Sequence, residues 1–344
     1  MVYPIWKNYE IVFSDAQYIL SDKSVEYTIS VDSHGAVVTI FAGKAWTRPG
    51  NAYTTININE VCADWLTNTF PSLSEGFSQS DIPVEFVVQA LSTYTGAYKE
   101  VARVRFINDW SYDNNHVAET DGLAHPINGR IDSRQWLLWT GLDVSLAEAE
   151  VTLVDGSVFS VFIPVEISAD FSQDFNADFA KSVRSAGSGT AVFSPSQWGK
   201  VAKVSVQGVE YHVVDTCSRY VLYYLNAYGG WDTLLIEGAT TEQDNLTRST
   251  INKSGAYDRQ KANYINNIQK RFSLRTSWLS DEQSLKMHHL LNSTDVYLHD
   301  LDKNEILPVV LDGTTTPYKT YKGEGGKLVN YTIEATIAQT RMRR

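Results

Sequence analysis

The chain has 344 residues, which at about 150 residues per domain argues for two domains. With 43% hydrophobic, 12% aromatic and only 20% charged residues it can bury a sizeable core, which argues against long-range disorder. A net charge of −11 argues against a nucleic-acid surface built on bulk positive charge, though a local basic patch stays open.

Nine Trp and 19 Tyr against three Met lean towards strands, because aromatic and β-branched residues fill pleated surfaces better than helix bundles. The first residues, MVYPIWKNYEIVFSD, carry Lys7, Glu10 and Asp15 and no apolar h-region, so no secretory signal is expected there. No run of about 18 apolar residues predicts a membrane span.

Val25, Tyr27, Ile29 and Val31 alternate with polar residues and predict a half-buried strand, with Ala36 to Phe41 as its return. A short helix is expected over about Asn59 to Leu66, with Val61, Trp65 and Leu66 inward. Ala102, Val104 and Phe106 alternate with Arg103 and Arg105 as another strand. Trp136 and Trp139, three apart, fall on opposite faces of a strand and read as core. Glu150 to Val154 and Ser157 to Ile163 flank Asp155-Gly156, a strong hairpin signal because a type I′ turn needs positive φ.

Residues 169–200 have a different texture, small and polar around Gly187-Ser188-Gly189. They predict a linker or arm between an N-terminal β-rich domain, 1–168, and a C-terminal one, 201–344. Within them Phe171, Phe175 and Phe179 recur every fourth residue, each after an Asp. They read either as one face of a helix on its own domain or as an arm on a neighbouring subunit.

In the C-terminal part, Val209 to Val214 is strand-like. RYVLYYL, Arg219 to Leu225, is apolar on both faces and predicts a central, doubly covered strand. Gly229-Gly230 breaks it and Trp231 to Glu237 returns; the Tyr and Trp residues crowded there read as buried aromatics. Tyr257 to Asn267 reads as a possible helix, followed by a strand from Ile268 with Arg271 and Arg275 on its outer face and Lys270 out of pattern. Ser280 with Gln283 forms a capping box for a helix over about 281–292, its stripe being Met287, Leu290 and Leu291. Val329 to Ile337 is the cleanest strand alternation in the chain.

Motifs for chemistry are absent. No HExxH, CxxC, GxSxG, GxGxxG or Walker motif occurs, so no metal site, cofactor or catalytic residue is expected. His288 and His289 diverge by about 100° as helical neighbours and do not both face one ion. Asp300-Leu-Asp302-Lys-Asn304 opens like a calcium loop but has Glu305 and Leu311 where Gly and Glu are needed, so it reads as a turn. Cys62 and Cys217 lie far apart and read as free thiols. Four Asn-x-Ser/Thr sequons and the basic end Arg341-Met342-Arg343-Arg344 carry no assignment.

Several longer stretches carry a resemblance. They are Trp278 to Leu301, Tyr223 to Gly238 (YYLNAYGGWDTLLIEG), Pro317 to Lys322, Phe41 to Gly50 and Asn57 to Leu66. Together they resemble virion proteins of phages of gut Bacteroidetes, most firmly over residues 219–340, and more specifically tail ring or hub proteins of crAss-like or related short-tailed phages. The resemblance implies a β-sandwich or barrel-like fold and a cyclic homo-oligomer around a DNA channel. It also implies neighbouring tail or portal proteins as partners, no specific DNA binding, and a place in the virion tail after assembly in the host cytoplasm. An acidic lumen would let DNA slide, and heterologous contacts would close the ring. Phe171, Phe175 and Phe179, and the outer helix face with His288 or His289, are the candidate assembly contacts. The expectation is therefore a mainly β structural protein with a few short helices and no catalysis. The alternatives are a receptor- or glycan-binding adhesin, needing exposed Trp or Tyr on a concave face, and a glycan hydrolase with two carboxylates about 5–10 Å apart.

Overall fold

A computed structural model describes residues 2–5, 7–33, 36–49, 51–66, 70–71, 73, 76–79, 84–110, 123–141, 148–162, 189–198, 200–252, 261–313, 328–338 and 341–343. Among them the protein is mainly β, with two helices, α1 (Asn59–Ala63) and α2 (Asp281–Leu291). They form three sandwich-like layers, the second taking β6 from between strands of the first.

The first is a five-stranded sheet in the order β1 (Val2–Pro4), β8 (Tyr98–Ile107), β7 (Val84–Leu91), β3 (Ser24–Ser33), β4 (Ala36–Trp46). The alternation at Val25, Tyr27, Ile29 and Val31 is realised in β3, whose inward side chains join Phe86, Val88, Val104 and Phe106 in one core. The strand pair β2 (Glu10–Phe13) and β5 (Thr54–Asn57) covers that core with Ile11, Phe13 and Ile56. Asn59 ties the layer to the start of the chain: its amide accepts from Tyr9 N at 2.7 Å and donates to Ile5 O at 2.6 Å and Lys7 O at 2.8 Å. The expected helix stops at Ala63, and the chain turns at Asp64 before a second apolar turn forms. Leu66 is buried as expected, but Trp65 is 48% exposed.

The second layer packs β10 (Leu137–Gly141), β13 (Gly189–Phe193) and β6 (Gly76–Gln79) against β12 (Val158–Phe162), β11 (Glu148–Leu153), β14 (Val201–Val206), β15 (Val209–Val214) and β9 (Arg130–Asp132). The Asp155-Gly156 hairpin forms, with Gly156 at φ +85° and Leu153 N donating to Ser157 O at 2.8 Å. Sheet pairing crosses residues 169–200: β11 pairs β14, and β10 pairs β13. The last part of that expected linker is thus built into a sheet, with Ala191, Val192 and Phe193 buried.

The third layer is an eight-stranded antiparallel sheet, β17 (Trp231–Ile236), β16 (Tyr220–Leu225), β20 (Val296–Asp300), β21 (Glu305–Asp312), β22 (Thr332–Ile337), β19 (Lys261–Arg275), β18 (Thr240–Asn252), with β23 (Arg341–Arg343) also on β19. β16 is buried along its whole length. Tyr220, Leu222 and Tyr224 face a core closed by Met287 and Leu290 of α2, while Val221, Tyr223 and Leu225 face Leu138 and Val192 of the second layer. The second layer therefore serves two cores: Trp139 points into its own and Leu138 into the shared one, with Trp136 packed against that shared core. The expected helix before Ile268 is corrected over Lys261–Asn267, which is strand and pairs with Asn252 to Thr247.

Candidate functional site

The most exposed regular feature is the β18–β19 hairpin. β18 runs 13 residues, about 40 Å at strand rise, and among the described residues pairs only with β19. Residues 241–250 are all exposed. On its other side β19 meets β22 over Arg271–Arg275 and β23 over Asn266–Ile268, so among the described residues Lys261–Ile265 has only β18 as strand partner. A register shift between Ser249 and Thr250 falls near the far end and leaves Thr240 to Ser249 regular.

The root of the hairpin is fixed by charge. Arg219 donates to Asp300, at 2.7 Å from Nη2, and reaches Glu242 at 2.9 Å. Tyr220 donates its hydroxyl to Glu242. Asp302 stands 3.4 Å from Arg134, which also grips Asp132 at 2.9 Å, so the network links the second layer to the third. Burial, the largest single influence, pushes the carboxyls of Asp300 and Asp132 up, but the hydrogen bonds and charge of Arg219 and Lys303 on the one and of Arg134 and Thr216 on the other together outweigh it and hold both below the usual range. The Asp300–Asn304 segment is the end of β20 and a turn, as the departures from a calcium loop imply. Among the described residues no group of three or more metal-ligating side chains converges.

A second joint lies where the β16–β17 turn meets residues 123–125 and α2. Asp232 accepts from His125 N at 3.1 Å and 3.0 Å and from Asn226 Nδ2 at 2.7 Å. The same Nδ2 donates to Leu123 O at 2.6 Å, while Asn226 Oδ1 accepts from Tyr228 N and Gly230 N, both at 2.9 Å. Full burial raises the Asp232 carboxyl to about 7, with Asn226 and His125 N working the other way.

The expected contact residues separate. Phe171, Phe175 and Phe179 lie outside the described residues. His289 is 4% exposed and packs inward, its ring 5.2 Å from Tyr228 and 6.4 Å from His125. His288 keeps the outer side beside exposed Leu285. The two rings do not diverge as helical spacing suggests: their centroids are 4.0 Å apart. His288 Nδ1 is held on Leu285 O and His289 Nδ1 accepts from Ala227 N at 3.3 Å, which swings the rings together. Cys62 is buried, its thiol pushed up to about 12 by that burial, and Cys217 is exposed; both are free.

The long edge at β18 escaped sequence reading because TTEQDNLTRSTIN alternates nothing; a strand solvated on both faces has no buried period to detect. The signal that was present is its four Thr residues and the lack of Gly and Pro, set against the strand-depleted Asp244 and Asn245. No protein-family model matches the chain, and no curated protein matches it.

Proposed function

We propose that this chain is an architectural, non-catalytic protein that assembles with copies of itself, and the observation that carries the reading is the open edge of β18. Protein edges are ordinarily kept short, bent, or guarded by Lys or Pro, since unpaired N–H and C=O groups template further strands. Thr240–Asn252 is long, contains neither residue, and is regular over its first ten positions. A strand added there gains ladder hydrogen bonds from a preformed template.

The other long open edge among the described residues is β4, 11 residues at the far side of the first sheet. Pairing β18 of one copy with β4 of the next is heterologous, the type of contact that closes rings. The resemblance of residues 219–340 to virion proteins of gut Bacteroidetes phages supplies the setting. In that setting the chain is a tail ring or hub around the DNA channel, with neighbouring tail or portal proteins above and below. It works in the virion after assembly in the host cytoplasm.

A cryo-EM reconstruction of the virion tail tests this reading. It is expected to show the chain as a symmetric ring with β18 paired to a neighbour. Density at a fibre tip would move the function to host recognition, and absence from the particle would overturn the virion role.

A further inference from the structure

We infer that Asn128 is a self-modifying site: its side-chain amide is displaced by the backbone nitrogen of Gly129, and the residue ages to aspartate and isoaspartate. Asn128-Gly129 is the only Asn-Gly pair in the chain. The turn into β9 calls for both residues. Gly129 sits at φ +60°, and a Cβ there would stand 2.7 Å from Glu210 O, so a side chain is excluded twice over. Asn128 Oδ1 accepts from Arg130 N at 3.1 Å, the bond of an Asx turn. The fold thus imposes a pair in which no side chain hinders the attacking nitrogen.

The bonding pattern prepares each group the reaction uses. The Arg130 N–H holds the amide carbonyl over the peptide that follows and polarises its Cγ. Gly129 O is held by His212 N at 2.7 Å, whereas the Gly129 N–H has no hydrogen-bond partner among the described residues, although the residue is buried. A buried backbone N–H left unpaired is rare. Asn128 Nδ2 is likewise buried and without a partner. Nucleophile and leaving group are therefore both unengaged, and only the carbonyl that must be activated is bonded. The turn lines a cleft of about 450 Å³, together with His212, Glu210 and Glu282 among others, and the cleft admits the water that the chemistry needs.

Hydroxide from solvent takes the Gly129 N–H proton. The nitrogen lone pair bonds to Asn128 Cγ, and the Cγ–Nδ2 bond breaks. Nδ2 takes a proton from water and leaves as ammonia, which restores the hydroxide. The five-membered succinimide then adds a water. Opening at Cγ gives aspartate, and opening at the main-chain carbonyl gives isoaspartate. Either product adds a negative charge to a wall that already holds Glu210 and Glu282. Isoaspartate also lengthens the main chain just ahead of β9, where Gly129 O is tied to His212 N. This site is separate from the β18 edge and does not depend on the assembly reading.

The test incubates the full, folded chain in mildly alkaline buffer at body temperature, with circular dichroism to confirm that it stays folded. Peptide mapping by mass spectrometry locates the lost amide, and labelling by isoaspartyl methyltransferase reads the rearranged product. Asn128 is expected to convert before any other Asn, with isoaspartate in excess. The rate is expected to rise with pH, because the proton leaves before the nitrogen attacks. Asn128→Gln closes only a slower six-membered ring and is expected to abolish the labelling. Asn292→Gln, at the Asn-Ser pair that ends α2, leaves it unchanged. Asn128 intact after another Asn has converted, no conversion at any Asn, or undiminished labelling of Asn128→Gln would overturn the inference.

Discussion

Asp232 has both carboxylate oxygens turned to protein donors, His125 N and Asn226 Nδ2, rather than to water. Its folded pKa of about 7 lies above the ordinary 3.8, so the fold favours the protonated form. The stability linked to it is complete below about 3.8 and is lost as pH rises through about 7. His299 acts oppositely in an overlapping window. Burial lowers its pKa from 6.5, so its contribution is complete above 6.5 and is lost as pH falls. A comparison of wild type with Asp232→Asn separates the two. The variant is expected to gain on wild type in urea midpoint from about pH 5 to about pH 8. A difference that stays flat across that range would show that Asp232 does not titrate there. Nothing in the sequence around Asp232 announces this, because LNAYGGWDTL reads as a strand break and return. Its partners include His125 N, more than a hundred residues away in sequence.

At the level of elements, what was legible is what carries its signal locally. The Asp155-Gly156 hairpin, the doubly apolar β16 and the Ser280–Gln283 capping box each declare themselves within a dozen residues. The box forms in full: Gln283 N donates to Ser280 Oγ at 3.2 Å, and Ser280 N donates to Gln283 Oε1 at 2.9 Å. Ser280→Ala is expected to cost about 1 kcal/mol, measured by urea unfolding, because the Gln283 N–H loses its acceptor. A change below the error of that measurement would mean the helix is held by Met287 and Leu290 alone. Elements whose partners are distant were not legible. β6, β9 and β13 are three to five residues long and exist because other strands receive them. Trp65 looked like a continued apolar stripe but follows a helix that has already ended. Lys261–Asn267 is a strand because β18 pairs with it, a partner the local sequence does not announce.

For the whole molecule, the second and third layers share a boundary. The second layer packs one face of its short sheet on its own core and the other on β16 and β17, which joins these two layers. The mainly β class was readable from Trp, Tyr and β-branched content. The crossing of residues 169–200 by sheet pairing was not, because pairing between strands some fifty residues apart leaves no local trace. Among the described residues the sheets leave long edges at β4 and β18, and on these rests the assembly reading. Sedimentation velocity of the purified chain, with and without Asn245→Lys plus Thr247→Lys, tests it most directly. Both positions are exposed on β18, and edge lysines oppose strand addition without touching a core. Wild type is expected to sediment as one discrete oligomer, and the double variant as a folded 38.6 kDa monomer. A monomeric wild type, or an oligomer indifferent to both lysines, would contradict the account.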